Sequence, residues 1–426
     1  MKKVLIYFMG LLLIPVACFT PKSTVAPSVV NLSRMFNTSN TKFHPVFTVY
    51  HNTSTTSLLL IKIFPVELLY SGTIEPDKVL AQVKVTYVLN DLTDPDNIAV
   101  ADSGQVKYTF SRESADKRFV SQVILPTAEG KRYQLMVIAR DLVRNEEHLS
   151  YLFVDKSSRY SQQNFLVTEA DGGTPVFQPY VLGNSLFKLD YAGTRPSDSV
   201  FVRYYGKEVP LPKPSFSLTT EREYLESPDS LWILPFRRGV TYQLNYEGIY
   251  HFQLDTNRAE GITLFNFGDT YPKVQEVEQL IESLAYLTTT PEYDKLKKAT
   301  NQKLAVDNFW IDKTGNMGKA RELIRVYYTR VFFANYYFTS YKPGWKTDRG
   351  MIFIIYGPPQ SVKVTGNQEK WIYYKNNFST TVTFTFNYTP SPYALNNCIL
   401  ERSDTYDTFW RQAVDTWRNG NIYLIE

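Results

Sequence analysis

Residues 344–359 read GWKTDRGMIFIIYGPP, and the fold of the C-terminal third turns on this stretch. Gly344, Trp345, Thr347, Asp348, Arg349 and Gly350 make a compact turn with an aromatic anchor. An uninterrupted apolar run, Met351 to Tyr356, follows, and Gly357-Pro358-Pro359 closes it. Turn, short apolar run and turn form the pattern of a strand buried on both faces, so a buried strand is expected here.

Upstream of the run the apolar period is 3.6. Val274, Val277, Ile281 and Leu284 share one helical face, and Pro291 suits the first turn of a second helix through about Val306. A third helix is expected over roughly 316–339. There Met317, Ala320, Ile324, Tyr327, Val331, Ala334 and Phe338 recur at steps of three and four. Its second half adds Tyr328, Phe332, Phe333, Tyr336 and Tyr337 on the other side, so it is apolar nearly all round and should be covered from several directions. Downstream, 370–375 and 380–388 read as a hairpin around Asn376-Asn377, and Asp404 to Trp417 as a closing amphipathic helix. Residues 271–426 are thus expected to be a helical segment joined to a small α+β domain.

Before residue 271 the period is two. Val83, Val85, Tyr87 and Leu89 alternate with Gln82, Lys84, Thr86 and Val88, and similar short runs recur to Phe153. Residues 43–157 therefore predict an antiparallel, immunoglobulin-like β-sandwich without the Cys-Trp-Cys pattern of a true immunoglobulin domain. Residues 163–268 repeat the theme as a second sandwich. Its run Pro210-Leu211-Pro212-Lys213-Pro214 belongs to an edge or a long loop, since each proline removes a ladder donor. The fold class expected for the whole chain is mainly β plus α+β.

At the N-terminus, Lys2 and Lys3 precede an apolar stretch, Val4 to Ile14, too short to span a bilayer. Residues 1–17 read as a signal peptide. Cys18 after Ala17 resembles a bacterial lipobox, with Pro15 where Leu is usual, and that resemblance implies acylation of Cys18. Phe19, where an inner-membrane retention signal would place Asp, and the lack of an acidic cluster to Asn40 imply the periplasmic face of the outer membrane. Residues 18–42, rich in Ser, Thr, Pro and Asn, read as a tether.

The 426-residue chain has 46 basic and 42 acidic side chains. Removing Lys2 and Lys3 leaves 44 minus 42, or +2, and no basic run, which argues against a nucleic-acid partner. There are two cysteines. With Cys18 acylated, Cys398 has no disulfide partner, so stability comes from cores.

Catalytic patterns are sparse. The four histidines, His44, His51, His148 and His251, all precede the C-terminal domain and lack metal-ligand spacing. No nucleophile elbow, Walker A loop or dinucleotide fingerprint occurs, and no cofactor or metal is expected. Cys398 has no neighbouring base. Asp91, Asp94, Asp96 and Asn97 could suggest Ca²⁺, but they lack EF-hand spacing and read more simply as a turn. Asp198-Ser199-Val200 and Asp229-Ser230-Leu231 match a three-residue O-glycosylation sequon of Bacteroidota, a pattern short enough to arise by chance.

The opening string resembles the signature of the GWxTD domain, a family found mainly in envelope proteins of Bacteroidota-type bacteria. Trp310, Tyr327-Tyr328, Ala334-Asn335, Gly357-Pro358-Pro359 and Trp371-Tyr373-Tyr374 extend the likeness over Phe309 to Tyr374. The family brings no known reaction. It implies a lipoprotein in biogenesis, secretion or gliding machinery, with envelope proteins as partners and an open oligomeric state. The candidate site is Gly344, Trp345, Thr347, Asp348, Arg349 and Gly350, read first as packing chemistry and second as a ligand or partner site. Two other readings are an envelope glycan- or peptidoglycan-acting enzyme using carboxylates, and a glycan-binding module with an aromatic platform on the second sandwich.

Overall fold

The computed structural model describes residues 31–36, 42–75, 78–94, 98–193, 197–219, 225, 227–374 and 381–423. The expected signal peptide, Cys18, and the turn residues Asp96, Asn97, Asn376 and Asn377 lie outside these residues. Residues 31–423 belong to one compact unit.

The first sandwich is built from β1 (Val46–His51), β2 (Thr56–Ile63), β3 (Ser71–Glu75), β4 (Lys78–Asp91), β5 (Ala99–Ser111), β6 (Phe119–Pro126), β7 (Arg132–Asp141) and β8 (Glu146–Asp155). One sheet runs β1-β2-β6; the other runs β3-β4-β7-β8, with β5 also paired to β4. Alternation puts Ala81, Val83, Val85, Tyr87 and Leu89 of β4 into the core, facing Val49, Leu59 and Ile61 of the other sheet.

The second sandwich contains β9 (Phe165–Glu169), β10 (Phe187–Tyr191), β11 (Ser199–Tyr205), β12 (Ser230–Pro235), β13 (Thr241–Tyr242), β14 (Gly248–Gln253) and β15 (Ile262–Asn266). Its sheets are β13-β10-β9 and β12-β11-β14-β15. β15 is buried along its whole length, because its outer face meets the C-terminal domain through Phe265, Tyr341 and Tyr393. The proline-rich run lies in the β11–β12 connection and docks on the C-terminal domain, where Ser403 N–H donates to Ser215 O (3.2 Å) and Arg402 to Lys213 O (3.2 Å).

The C-terminal part has α1 (Val277–Ser283), α2 (Thr290–Lys298), α3 (Gln302–Thr314), α4 (Met317–Phe338), α5 (Asp348–Tyr356), β16 (Ser361–Thr365), β17 (Gln368–Tyr374), β18 (Thr381–Tyr388), β19 (Cys398–Leu400) and α6 (Asp407–Arg418). The strands form an antiparallel sheet in the order β16-β17-β18-β19. The expected second helix divides into α2 and α3, because the Asn301 side chain accepts Leu304 N–H (3.0 Å) and caps a new start. Met317, first in the predicted α4 stripe, is 59% exposed.

Two expectations are overturned. Met351–Tyr356 is not a strand but most of helix α5. Thr347 caps that helix by accepting Gly350 N–H (3.0 Å), and Gly357 ends it at φ 84°. All nine residues of α5 are buried, so it has no polar face to reveal a 3.6 period, and its apolar run is short enough to imitate a strand. The tether, in turn, is not free along its whole described length. Leu32–Phe36 forms a 3-10 turn whose Leu32 and Phe36 are buried in the C-terminal core. The Phe36 ring lies 5.2 Å from both Phe338 and Trp371 and 6.4 Å from Phe353 of α5. Asn31 then mimics a strand residue beside β16, accepting Val362 N–H (2.9 Å) and donating to Gln360 O (3.1 Å).

Candidate functional site

The motif begins with two glycines that allow close approach rather than unusual dihedrals. A Cβ on Gly344 would stand 2.0 Å from Ala334 O of α4, and one on Gly350 would stand 1.9 Å from Gly344 O. The turn therefore lies directly on α4, and α5 directly on the turn. Asn335 fixes this arrangement from α4. Its side chain accepts Trp345 N–H (3.0 Å) and donates to Pro272 O (3.0 Å). Trp345 is buried, with Tyr286 O–H donating to its carbonyl (2.7 Å) and the Lys346 ammonium 4.9 Å from its ring centre. Lys346 is itself buried and pairs with Glu282 at 3.2 Å.

The charged motif residues face inward. Asp348, in the first turn of α5, accepts Leu400 N–H (2.8 Å) and pairs with Arg402 at 2.7 Å, tying the helix to the end of β19. Arg349 pairs with Glu369 at 3.3 Å, donates to Asn396 O (2.8 Å), and lies 5.2 Å from the Phe338 ring centre. Glu369 also accepts the Trp371 indole N–H (2.5 Å) and the Tyr388 hydroxyl. All three carboxylate-bearing or guanidinium groups, Asp348, Arg349 and Glu369, are less than a tenth exposed. Burial pushes the Tyr388 phenol far above its ordinary range, so it stays a donor to Glu369.

Three residues that the sequence did not single out, Glu369, Arg402 and Arg330, hold the site together. Arg330 is the one guanidinium on the buried side of α4. It donates to Ile354 O (3.1 Å), Ile355 O (3.2 Å) and Tyr423 O (3.0 Å), satisfying carbonyls at the end of α5. A lone charge inside the apolar run Tyr327 to Phe338 was its signal. Glu369 and Arg402 lie in polar-looking local sequence and carried none.

Elsewhere the titratable groups serve the fold. Burial pushes the Cys398 thiol up to about 12, against the opposing pull of Arg349, so it is no thiolate. His51 bonds Ser57 (2.8 Å) and Asp155 O (2.9 Å), and His251 bonds Thr263 (2.8 Å) and Ala259 O (2.9 Å); burial lowers each to about 4. Asp91 accepts Thr93 N–H and pairs with Lys131 at 2.7 Å, as a turn residue would. Among the described residues no three His, Cys, Asp or Glu side chains are grouped closely enough to hold a metal ion. A cavity of about 320 Å³ lies where the three parts meet, with Tyr151, Phe177, Tyr336, Arg349 and Glu369 on its wall.

The GWxTD domain family matches residues 248–419, from the start of β14 to just past α6. The matched unit thus takes in β14 and β15, the strands that the C-terminal domain covers. No curated protein matches the chain.

Proposed function

We propose that this GWxTD domain-containing chain is a non-enzymatic interaction or scaffold component of a cell-envelope assembly, anchored in the outer membrane through lipid on Cys18 and facing the periplasm. One observation carries the non-enzymatic reading. The motif's acid and guanidinium are consumed by Leu400 N–H, Arg402, Glu369 and Asn396 O, and among the described residues no second acid stands beside an uncommitted first. The envelope reading rests on the N-terminal sequence.

Segment 31–36, which begins 13 residues (31 minus 18) after Cys18, is itself docked in the C-terminal core through Leu32 and Phe36. Fractionation of a Cys18→Ser variant tests the tether, with release into the soluble envelope fraction expected and full membrane retention opposed to it. Affinity recovery of the chain from solubilised membranes should bring envelope proteins with it, and recovery of the chain alone counts against the scaffold role.

A glycan-binding reading has one observation in its favour. Tyr204 and Trp232 stack at 5.4 Å, and Tyr246, 61% exposed, lies 6.1 Å from Tyr204 at one end of the second sandwich. A glycan array tests it; silence across envelope glycans removes it.

A further inference from the structure

Strand β12, Ser230 to Pro235, is the edge of its sheet and has β11 as its ladder partner. Its sequence, SLWILP, contains no charge. Leu231 and Ile233 on the outer face are 51% and 64% exposed, while Trp232 and Leu234 on the core face are half-buried. Edge strands are ordinarily blunted by lysine, bulges or cover, because their free backbone groups recruit another strand. Among the described residues, Pro235 at the far end is the one such device here. The opposite edge, β15, is bridged by the segment at Tyr180, with Phe265 N–H donating to Pro179 O (2.9 Å) and Val181 N–H to Phe265 O (2.8 Å).

The ends of the strand indicate what pairs with it. Asp229 precedes it, held by Gly206 N–H (2.8 Å) with Lys207 at 3.7 Å. Arg237 and Arg238 follow it, both exposed and, among the described residues, without an ion-pair partner. A strand that is acidic at its start, neutral through its length and basic at its end is complementary to itself when reversed. A parallel mate would set Asp229 beside Asp229 and arginine beside arginine.

We propose that β12 is a self-association surface. Two copies of this chain join their second sandwiches through an antiparallel β12–β12 pair, making one continuous sheet across a twofold axis. With Ile233 opposite Ile233 of the second copy, Asp229 falls opposite Arg237 of that copy, and symmetry makes the ion pair twice. Ile233 then packs on Ile233 of the second copy, and Leu231 lies opposite its Pro235. The interface is small, so the dimer is weak in solution and is favoured where chains are concentrated on a surface. The inference stands apart from the lipid anchor, since the pairing needs no acylation.

Cysteine cross-linking of the full-length chain in its own membranes tests this. Ile233→Cys is expected to give a disulfide-linked homodimer under mild copper-phenanthroline oxidation. Ile124→Cys, on the edge strand β6 and similarly exposed at 61%, is expected to give none. In sedimentation velocity on the solubilised chain, Ile233→Lys should weaken dimerisation at least about 10-fold, as like charges meet across the axis. Asp229→Arg should weaken it about 2- to 30-fold, two surface ion pairs' worth, and Arg237→Asp in the same chain should restore it. Equal cross-linking at residues 124 and 233, no homodimer from Ile233→Cys, or no rescue by the charge reversal would overturn the proposal. An Ile233→Cys adduct to a different protein alone would overturn it in favour of a heterologous strand.

Discussion

Replacing Gly350 with alanine probes the seam on which the C-terminal domain depends. The new Cβ would lie 1.9 Å from Gly344 O, 2.9 Å from Gly344 C and 3.0 Å from Trp345 Cα. Reaching an acceptable 3.0 Å from that oxygen requires a shift of 3.0 minus 1.9, about 1.1 Å, of backbone against backbone. The turn has nowhere to retreat, since Gly344 already rests on α4, where its own Cβ would meet Ala334 O at 2.0 Å. Nor can α5 move away, with all nine of its residues buried. Overpacking in such settings costs roughly 1–3 kcal/mol, and a loosened Thr347 cap adds about 1 kcal/mol. A loss of about 2–4 kcal/mol is therefore expected, or a drop of roughly 1–2 M in the urea midpoint. Tryptophan emission reports on this domain selectively, because all but Trp232 of the six tryptophans lie within it. Gly72→Ala, whose nearest neighbour is Lys78 O at 3.9 Å, is the control and should change stability by less than about 0.5 kcal/mol. A Gly350→Ala midpoint within about 1 kcal/mol of wild type would refute the reasoning.

Phe36→Ala should cost the C-terminal transition about 3 kcal/mol and raise protease cleavage near residue 36, since Phe36 fills an aromatic pocket against Phe338, Phe353 and Trp371; unchanged cleavage and stability would mean the segment is not docked. Arg330→Ala should cost at least about 3 kcal/mol in the same urea assay, by orphaning the carbonyls of Ile354, Ile355 and Tyr423. Acid should loosen the sandwiches before the carboxylates titrate. His51 and His251 have folded pKa values of about 4, below the ordinary 6.5, so their contribution is intact above 6.5 and is lost as pH falls toward 4. At pH 5 the loss is roughly 2 kcal/mol per histidine, read as a lower circular-dichroism midpoint than at pH 7.5. A flat midpoint across that range would contradict it.

Much of the architecture was legible because period two and period 3.6 each left a one-sided apolar trace, as in β4 and the middle of α4. Where burial was complete the trace vanished. The residues of α5 are covered on every side, so only its ends, Thr347-Asp348 at the start and Gly357-Pro358-Pro359 at the stop, recorded a helix. Pairings across long sequence separations were also invisible. Asp348 meets Arg402 and Arg349 meets Glu369 because β17 and β19 return to the N-terminal end of α5, and no local pattern encodes that return. The docking of Leu32 and Phe36 was hidden for a related reason: two apolar residues in a polar stretch do not announce which distant core will take them.

If the motif's charged groups fasten the fold, a double-mutant cycle on Asp348 and Arg402 reads it most directly. The two side chains meet at 2.7 Å, with exposures of 6% and 11%. Asp348→Ala alone should destabilise the C-terminal domain by about 3–5 kcal/mol, because it strands the Arg402 charge and the Leu400 N–H. With Arg402→Met added, the coupling energy should reach at least about 1.5 kcal/mol. A coupling below about 0.5 kcal/mol, with Asp348→Ala as stable as wild type, would contradict the account and return Asp348 to the list of residues free to act on a ligand.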